Sequence, residues 1–321
     1  MVAAVTVGGE ITSVRSPRVK AARQLARRSA RQRTRLFLAE GPQAVREALS
    51  GPRDGGVVTE LFVTDTARSR FRELVAQAEG VGVALHAVSG EVMAGLAQTV
   101  TPQGVLAVCR FVDVPMPQLT AAAPRLVVLL ANVRDPGNAG TVLRTADAAG
   151  ADGVIFSDAS VDPYNSKCVR ASAGSLFHLP IVAGPGLPEA AAALRRAGLR
   201  VLAADGRAPR ELDQLEAGGA LRHRTAWLFG NEAWGLPSDL LALADESVAV
   251  PSYGRAESLN LAAAAAVCLY ASARVHRSLP ARPVARAAAA PHATDSNLRA
   301  CGVPRSIPDA LESDLITLRH D

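Results

Sequence analysis

Aromatic residues make up only 4% of the 321-residue chain: two Trp, three Tyr and seven Phe. Apolar residues as a whole reach 49%, so the cores must be built mainly from Ala, Val and Leu. Cysteine is as sparse. Cys109, Cys168, Cys268 and Cys301 are scattered with no Cys-x-x-Cys, and the six histidines are dispersed. No zinc spacing is present, no metal site is expected, and free thiols are the default. The longest apolar stretch, Leu259 to Ala273, is interrupted by Asn260, Tyr270 and Ser272 and is too short to span a bilayer. The amino-terminal residues lack the apolar centre of a signal peptide. A cytoplasmic location without membrane association is therefore expected. Four familiar signatures are missing as well. No Gly-x-Gly-x-x-Gly follows a predicted strand, and there is no Walker A sequence, no Gly-x-Ser-x-Gly elbow and no Cys in a nucleophile's setting.

What is present is unevenly charged. The chain carries a formal charge of +5, yet residues 1–53 hold eleven Lys and Arg against three Glu, a local charge of +8. A basic arm of this kind points to a polyanion, most often nucleic acid; the alternative is a solvated helix face.

At this length about two domains are expected. Residues 1–10 read as a loose leader. Ser16-Pro17 predicts a helix start, with Ser16 as N-cap and Pro17 at the first helical position, and the helix should run to about Ala30. Residues 36–39 read as a strand, and a helix is expected from about Pro42 to Leu49. Strands near 57–63, 83–88 and 105–112 alternate with helices over 66–78 and 90–97. This makes a small α/β unit covering residues 1–112. Pro115 through Pro124 reads as part of a linker, residues 113–124. Beyond it, Leu126 to Leu130 is a continuous apolar run that suits a strand covered on both faces. Strands and helices then alternate to residue 277, which predicts a mostly parallel sheet with helices on both faces. Helices are expected over 139–149, 165–176, 187–197, 236–243 and from Glu257 to about Val275. Residues 278–321 hold five prolines, no aromatics and the run Ala287 to Ala290. They read as a disordered tail with room for a short helix over 309–318.

Three polar segments stand at strand-to-helix loops, which gather at the carboxyl edge of a parallel sheet. The first is Asn132-Val133-Arg134-Asp135-Pro136-Gly137-Asn138-Ala139-Gly140, continuing to Arg144. Pro136-Gly137 forces a turn, Asn138 can cap the following helix, and Arg144, under two turns on, can reach back over the loop. The second is Gly230-Asn231-Glu232-Ala233-Trp234-Gly235, where Glu232 follows a buried strand close to a helix start, a place that favours a carboxylate. The third is Pro251-Ser252-Tyr253-Gly254 leading to Ser258-Leu259-Asn260 at the first turn of the long last helix.

In this order the pattern Asn138-x-Gly140-x-x-x-Arg144, Gly230-x-Glu232-x-x-Gly235, and Pro251-x-x-Gly254 before Ser258-Leu259-Asn260 resembles the three motifs of the SpoU (TrmH-type) RNA 2′-O-ribose methyltransferases. The resemblance covers residues 125 to 277. The part before it, with Phe37-Leu38-Ala39-Glu40-Gly41 behind a basic helix, is similar to the ribosomal-protein-like substrate-binding domain fused ahead of that catalytic domain. The resemblance implies a fold: a small amino-terminal α/β RNA-binding domain and an α/β-knot (SPOUT, trefoil knot) methyltransferase domain. It implies S-adenosylmethionine as cofactor, held largely by backbone at Leu228, Gly230, Asn231, Val250, Pro251, Ser252, Leu259 and Asn260. Among the motif residues, Arg144, Asn138, Glu232, Ser258 and Asn260 are implied as catalytic. Arg144 would sit nearest the ribose 2′-hydroxyl, Asn138 would hold Arg144 or the ribose, and Glu232 would orient the arginine. A homodimer through the carboxy-terminal domain is implied too. The basic helix would offer Arg15, Arg18, Lys20, Arg23, Arg27, Arg28 and Arg31 to RNA phosphates. The preferred substrate is large-subunit (23S) ribosomal RNA. The alternatives are transfer RNA, a non-catalytic RNA-binding or ribosome-assembly protein of the same fold, and a metabolic α/β enzyme using another nucleotide.

Overall fold

Each residue of the run Leu126–Leu130 is buried, as a strand with helices on both faces must be. A computed structural model describes residues 9–51 and 56–278 and sets this strand inside the larger of two sheets. The smaller sheet comprises β1 (Leu36–Glu40), β2 (Val58–Val63), β3 (Ala84–Ala87) and β4 (Val105–Arg110), in the order β1-β4-β2-β3. It is mixed: β4 runs antiparallel to β1 and β2, while β2 and β3 are parallel. The larger sheet comprises β5 (Leu126–Leu130), β6 (Gly153–Phe156), β7 (Ile181–Ala183), β8 (Arg200–Ala204), β9 (Thr225–Phe229) and β10 (Glu246–Val248). Its order is β10-β8-β9-β5-β6-β7 and all its pairings are parallel. The α/β class and the parallel sheet expected from the alternation are thus observed.

Because β5 pairs directly with β9, the loops leaving their carboxyl ends are neighbours. The chain turns to opposite sides of β5 in building the sheet, with β6 on one side and β9 on the other. Ligand crevices of open α/β sheets form at such switch points. The last helix, Leu261–Arg277, packs against the Pro136–Ala149 helix that follows β5. Trp227 on β9 donates its indole N–H to Ser272 Oγ of that last helix at 2.9 Å, so this large side chain is buried without losing a hydrogen bond.

One apolar cluster runs through both sheets, joining residues such as Val45, Leu61 and Ala107 to Val128, Val142 and Phe156. The scarce aromatics collect at the junction. Tyr164 stacks on Phe111 at 3.7 Å between centroids and lies 4.8 Å from Phe37, which also stacks on Phe177 at 6.0 Å. The Tyr164 hydroxyl accepts from the backbone N–H groups of Val112 and Asp113 and donates to the Asp113 carboxylate. Burial, with Asp113 beside it, pushes its pKa well above the ordinary phenol value.

The same junction corrects the expectation for Arg31. Its guanidinium is buried and donates to Asp162 Oδ2 at 2.8 and 2.6 Å and to the carbonyls of Leu25 and Ala26 at 2.9 Å. Four of its five N–H donors are engaged inside the protein and the side chain is buried, so Arg31 is withdrawn from phosphate contact. The tie also explains why the expected single helix to Ala30 is two helices, Pro17–Gln24 and Arg28–Thr34. Arg31 satisfies carbonyls freed where the first helix stops. A partner 131 residues away in sequence decides this break.

Other boundaries shift for local reasons. Thr64 caps Asp65–Arg70, and Phe71 separates that helix from Arg72–Gly80. The expected helix over 165–176 stops at Ala171. Ala173 and Gly174 take positive φ, and a 3-10 turn, Ser175–Phe177, follows. Within residues 113–124 lies a short helix, Met116–Ala121, whose Leu119 is buried in the second core. The expected helix over 236–243 is reduced to Ser238–Leu241, and a helix that was not anticipated, Leu212–Ala217, precedes β9. The tail, the short helix over 309–318, Arg53 and Cys301 lie outside the described residues. Among the described residues no helix is long and apolar enough to cross a membrane.

Of the charge ties that hold the amino-terminal elements to the part of the chain carrying the larger sheet, two yield predictions. Asp162→Ala would leave Arg31 charged, buried and unpaired, a loss of roughly 3–5 kcal/mol in urea unfolding; a change below about 1 kcal/mol would show that the pair is dispensable. His178 bridges Glu47 (3.1 Å) and Asp147 (2.8 Å). Its partial burial lowers the imidazole pKa, but the hydrogen bonds to Asp147 and Glu47 outweigh this and raise it. A raised native pKa stabilises fully below the unfolded value, about 6.5, and the effect is lost as pH climbs through the native value. The Tm gap between wild type and His178→Ala should be largest near pH 6 and shrink at higher pH, and a pH-independent gap would contradict this.

Candidate active site

The site is built around the amino terminus of the Pro136–Ala149 helix. Asp135 is its N-cap: the carboxylate accepts from Asn138 N–H at 2.7 Å, and Pro136 occupies the first position, where a missing N–H costs nothing. This corrects the expectation that Asn138 would cap the helix; it lies inside the first turn. Asp135 also receives Lys167 Nζ at 2.8 Å, and that hydrogen bond, with the one from Asn138, holds its carboxyl below the usual carboxylate range. Asp-Pro was the legible signal for this start.

With its backbone committed to Asp135, the Asn138 side chain joins the other two segments. Its Nδ2 donates to Glu232 Oε1 at 3.3 Å, and its Oδ1 accepts from Asn260 Nδ2 at 3.1 Å. Residues 94 and 122 positions away in sequence thus meet on one amide. Glu232 further accepts from the backbone N–H groups of Arg134 and Asp135, each at 3.3 Å. A carboxylate here neutralises the positive end of the helix and of the loop before it. Asn231, which is buried, donates to the carbonyl of Asn132, a residue held at positive φ (57°). The loop after β9 is in this way sewn to the loop after β5.

The Gly230–Gly235 loop is closed on itself by hydrogen bonds from Asn231 N–H to Gly235 O (3.0 Å) and from Gly235 N–H to Asn231 O (2.9 Å). A Cβ on Gly230 would come within 2.5 Å of the Gly235 carbonyl carbon and 2.7 Å of Leu236 Cγ, so only glycine fits. Gly140 has a comparable duty: a Cβ there would press on Ala171 Cβ at 2.6 Å, so the glycine lets the Ser166–Ala171 helix approach closely.

Asn260 is the N-cap of the last helix, its Oδ1 accepting from Ala262 N–H at 2.9 Å. The helix therefore begins at Leu261 and not near Glu257, and Ser258 and Leu259 lie in an exposed loop. Arg144 is exposed on the Pro136–Ala149 helix, about 9 Å along the axis from Asn138. Among the described residues it makes no hydrogen bond or ion pair. Glu232 is thus engaged with Asn138 and the backbone of the first loop, and not with Arg144 as anticipated.

The residues expected at the cofactor fall into two groups. Leu228 and Gly230 are buried at the end of β9, with the Leu228 side chain in the second core, so their backbone alone could face a ligand. Val250, Pro251, Ser252 and Leu259 lie on a segment that is partly to fully exposed. Among the described residues, the backbone N–H groups of Ser252 through Leu259 make no hydrogen bond. Unspent backbone donors at a sheet edge suit a ligand recognised through main-chain groups. An open cavity of about 700 Å³, lined by Asp205, Arg207, Trp234, Leu236, Pro237, Ser238 and Leu241, lies at the loops that follow β8 and β9. None of the residues expected at the cofactor lines it.

On the basic arm, Arg15, Arg18, Lys20, Arg23, Arg27 and Arg28 are exposed, and Arg18 pairs with Glu60 at 3.0 Å. Cys109, Cys168 and Cys268 are buried, and burial pushes their thiols up, which removes them as nucleophiles. No cluster of three metal-ligating side chains occurs among the described residues.

A parallel sheet with three polar loops locked together at its carboxyl edge defines an α/β transferase-like site without a phosphate loop. The chain belongs to the SpoU rRNA Methylase family, whose family profile matches residues 125–270; that of the MRM3-like substrate binding domain matches residues 16–107. It is 36% identical over 264 residues to the 23S rRNA (guanosine(2553)-2'-O)-methyltransferase RlmP of Bacillus subtilis, an alignment that spans 81% of this chain and 98% of that protein. Among solved structures, the AdoMet-bound rRNA methyltransferase from Sinorhizobium meliloti is 32% identical, with a TM-score of 0.69 over 84% of this chain and 98% of that one. The SpoU methyltransferase AviRb from Streptomyces viridochromogenes, in complex with AdoMet, is 28% identical, with a TM-score of 0.71 over 82% of this chain and 100% of that one.

Glu232→Gln keeps one acceptor oxygen but gives up the charge at the helix end. Turnover with a methyl-accepting RNA should fall about 10- to 100-fold while the fold is retained, and an unchanged kcat would remove Glu232 from the site's supports.

Proposed function

We propose that this protein transfers a methyl group from S-adenosylmethionine to a ribose 2′-hydroxyl of large-subunit (23S) ribosomal RNA. The observation that carries the reading is the meeting of Glu232, Asn138 and Asn260 on one helix terminus that also bears the unpaired Arg144. The relatives named above for 23S rRNA 2′-O-methylation support the substrate class.

Bound S-adenosylmethionine would supply a methyl group already activated on a sulfonium. The backbone of Gly230, Asn231 and residues 250–260 would hold it at the carboxyl edge of the sheet. The protein's remaining task is to orient the hydroxyl and assist loss of its proton. A guanidinium has donors only and keeps its proton, so Arg144 acts by stabilising the developing alkoxide or a neighbouring phosphate. Asn138, held by Glu232 and Asn260, is the positioning group. Ser258, exposed in the loop before Asn260, is placed to meet the substrate.

Residues 1–112 serve as the RNA-binding part, joined through 113–124 to the catalytic part, 125–277. Arg15, Arg18, Lys20, Arg23, Arg27 and Arg28 provide its phosphate contacts. The return of β10 to the sheet edge beside β8, before the last helix crosses back to the Pro136–Ala149 helix, is compatible with a trefoil knot. Exposed Val267 and Tyr270 on the last helix suit a homodimer contact. A cytoplasmic location accords with a ribosomal substrate.

The test is transfer of radiolabelled methyl to naked 23S rRNA, 16S rRNA and bulk transfer RNA, followed by nucleoside analysis. Label is expected as a 2′-O-methyl nucleoside in 23S rRNA. Arg144→Ala should lower that transfer at least about 100-fold, with S-adenosylmethionine affinity within about 3-fold of wild type. Near wild-type turnover in this variant would refute the role given to Arg144.

A further inference from the structure

The loop that carries Glu232 also carries Trp234, one of two tryptophans in the chain. Trp227 is fully buried, whereas Trp234 is 49% exposed. An indole on a flexible loop would fold back onto the protein to escape water. Here the loop prevents it. The paired Asn231–Gly235 backbone hydrogen bonds and the bond from Ala233 N–H to Asn231 Oδ1 at 2.8 Å fix the turn with Trp234 pointing outward. One side of the ring is occupied: the Arg134 guanidinium carbon lies 5.1 Å from its centroid. Arg134 is itself anchored, since its backbone N–H donates to Glu232. Trp234 also forms a wall of the 700 Å³ cavity, beside Arg207 and Asp205.

We infer that Trp234, backed by Arg134, is a stacking platform for an unpaired base of the substrate RNA, seated in this cavity next to the reacting ribose. The inference rests on the RNA-methyltransferase reading above. Three features favour a nucleobase over another flat ligand. Trp234 is two residues from Glu232, so their Cα atoms are within about 7 Å, and a base stacked on the ring keeps its ribose near the site that Glu232 supports. Arg134 behind the ring and Arg207 on the cavity wall, the latter 3.3 Å from the Asp205 carboxylate, are both exposed cations within reach of a phosphate beside the stacked base. Unpaired RNA is typically read by stacking on aromatic and guanidinium planes, and a ready aromatic–guanidinium pair offers both.

The experiment uses the full chain and its intrinsic fluorescence. Since Trp227 is buried and hydrogen-bonded, a base arriving from solvent reaches Trp234 alone. Single-stranded RNA hexamers of mixed sequence at low salt should quench the emission saturably in wild type and leave Trp234→Phe unaffected. In the methyl-transfer assay Trp234→Ala should raise KM for RNA about 5- to 100-fold with kcat little changed, and Trp234→Phe should recover most of the loss. The Kd for S-adenosylmethionine should not move in either variant. Quenching by S-adenosylmethionine alone, with weaker cofactor binding and unchanged RNA KM in Trp234→Ala, would overturn the proposal and assign the ring to the cofactor. Absence of RNA quenching in wild type would also overturn it. If wild type transfers methyl to no RNA, the proposed activity fails, and the hexamer titration still decides the stacking site by itself.

Discussion

The side chain of Asn138 is the constraint on which the site depends. It is one amide with two functional ends, and each end is taken by a different segment: Glu232 by the nitrogen, Asn260 by the oxygen. A hydroxyl in its place could not reach both, and a carboxylate would repel Glu232. The amide works only because Asp135, and not Asn138, caps the helix, leaving the Asn138 side chain free. Capping and bridging are thus divided between two residues three positions apart.

That division propagates outward. Glu232 can close on the first loop because Gly230 allows the second loop to fold tightly, and Asn231 can hold the carbonyl of Asn132 for the same reason. Asn260 can reach Asn138 because it starts the last helix, which packs against the Pro136–Ala149 helix and is tied to β9 by the Trp227–Ser272 hydrogen bond. The helix carrying Arg144 is held from its other side as well. Gly140 seats it on the Ser166–Ala171 helix, and His178 links its Asp147 to Glu47 of the smaller sheet's layer. A chain with few aromatics spends several of them where the layers meet: Phe37, Phe111, Tyr164 and Phe177.

The basic arm shows how a charge run divides on folding. Arg28 and Arg31 lie three apart on one short helix. Arg28 is exposed, while Arg31 is buried against Asp162. Burying a guanidinium is tolerable only when it is paired and well hydrogen-bonded, and Asp162 with two backbone carbonyls takes four of its five donors. The arm therefore has a structural root and a solvated remainder, and the remainder is what stays available to a polyanion.

The alternation of strands and helices, the parallel sheet and the order of the three polar segments were legible in the linear sequence. Each rests on local chemistry: apolar runs of strand length, Ser16-Pro17 at a helix start, and glycine-bearing polar loops between strand and helix. Residue partnerships were not legible. Nothing near Arg31 in the chain marks it as internal, since its partner is 131 residues away. Nor does anything near Glu232 say that it would hold Asn138 and not Arg144. The break near Leu25 follows the same rule, since Arg31 and Asp162 meet there only after the layers pack, whereas the stop at Ala171 is local, with Ala173 and Gly174 at positive φ. By itself, then, the sequence determined the strands of both sheets and most of the helices between them, because neighbouring residues settle those choices. Only the tertiary structure decided which polar groups satisfy one another, because hydrogen bonds and ion pairs depend on distances in space that the chain order does not encode.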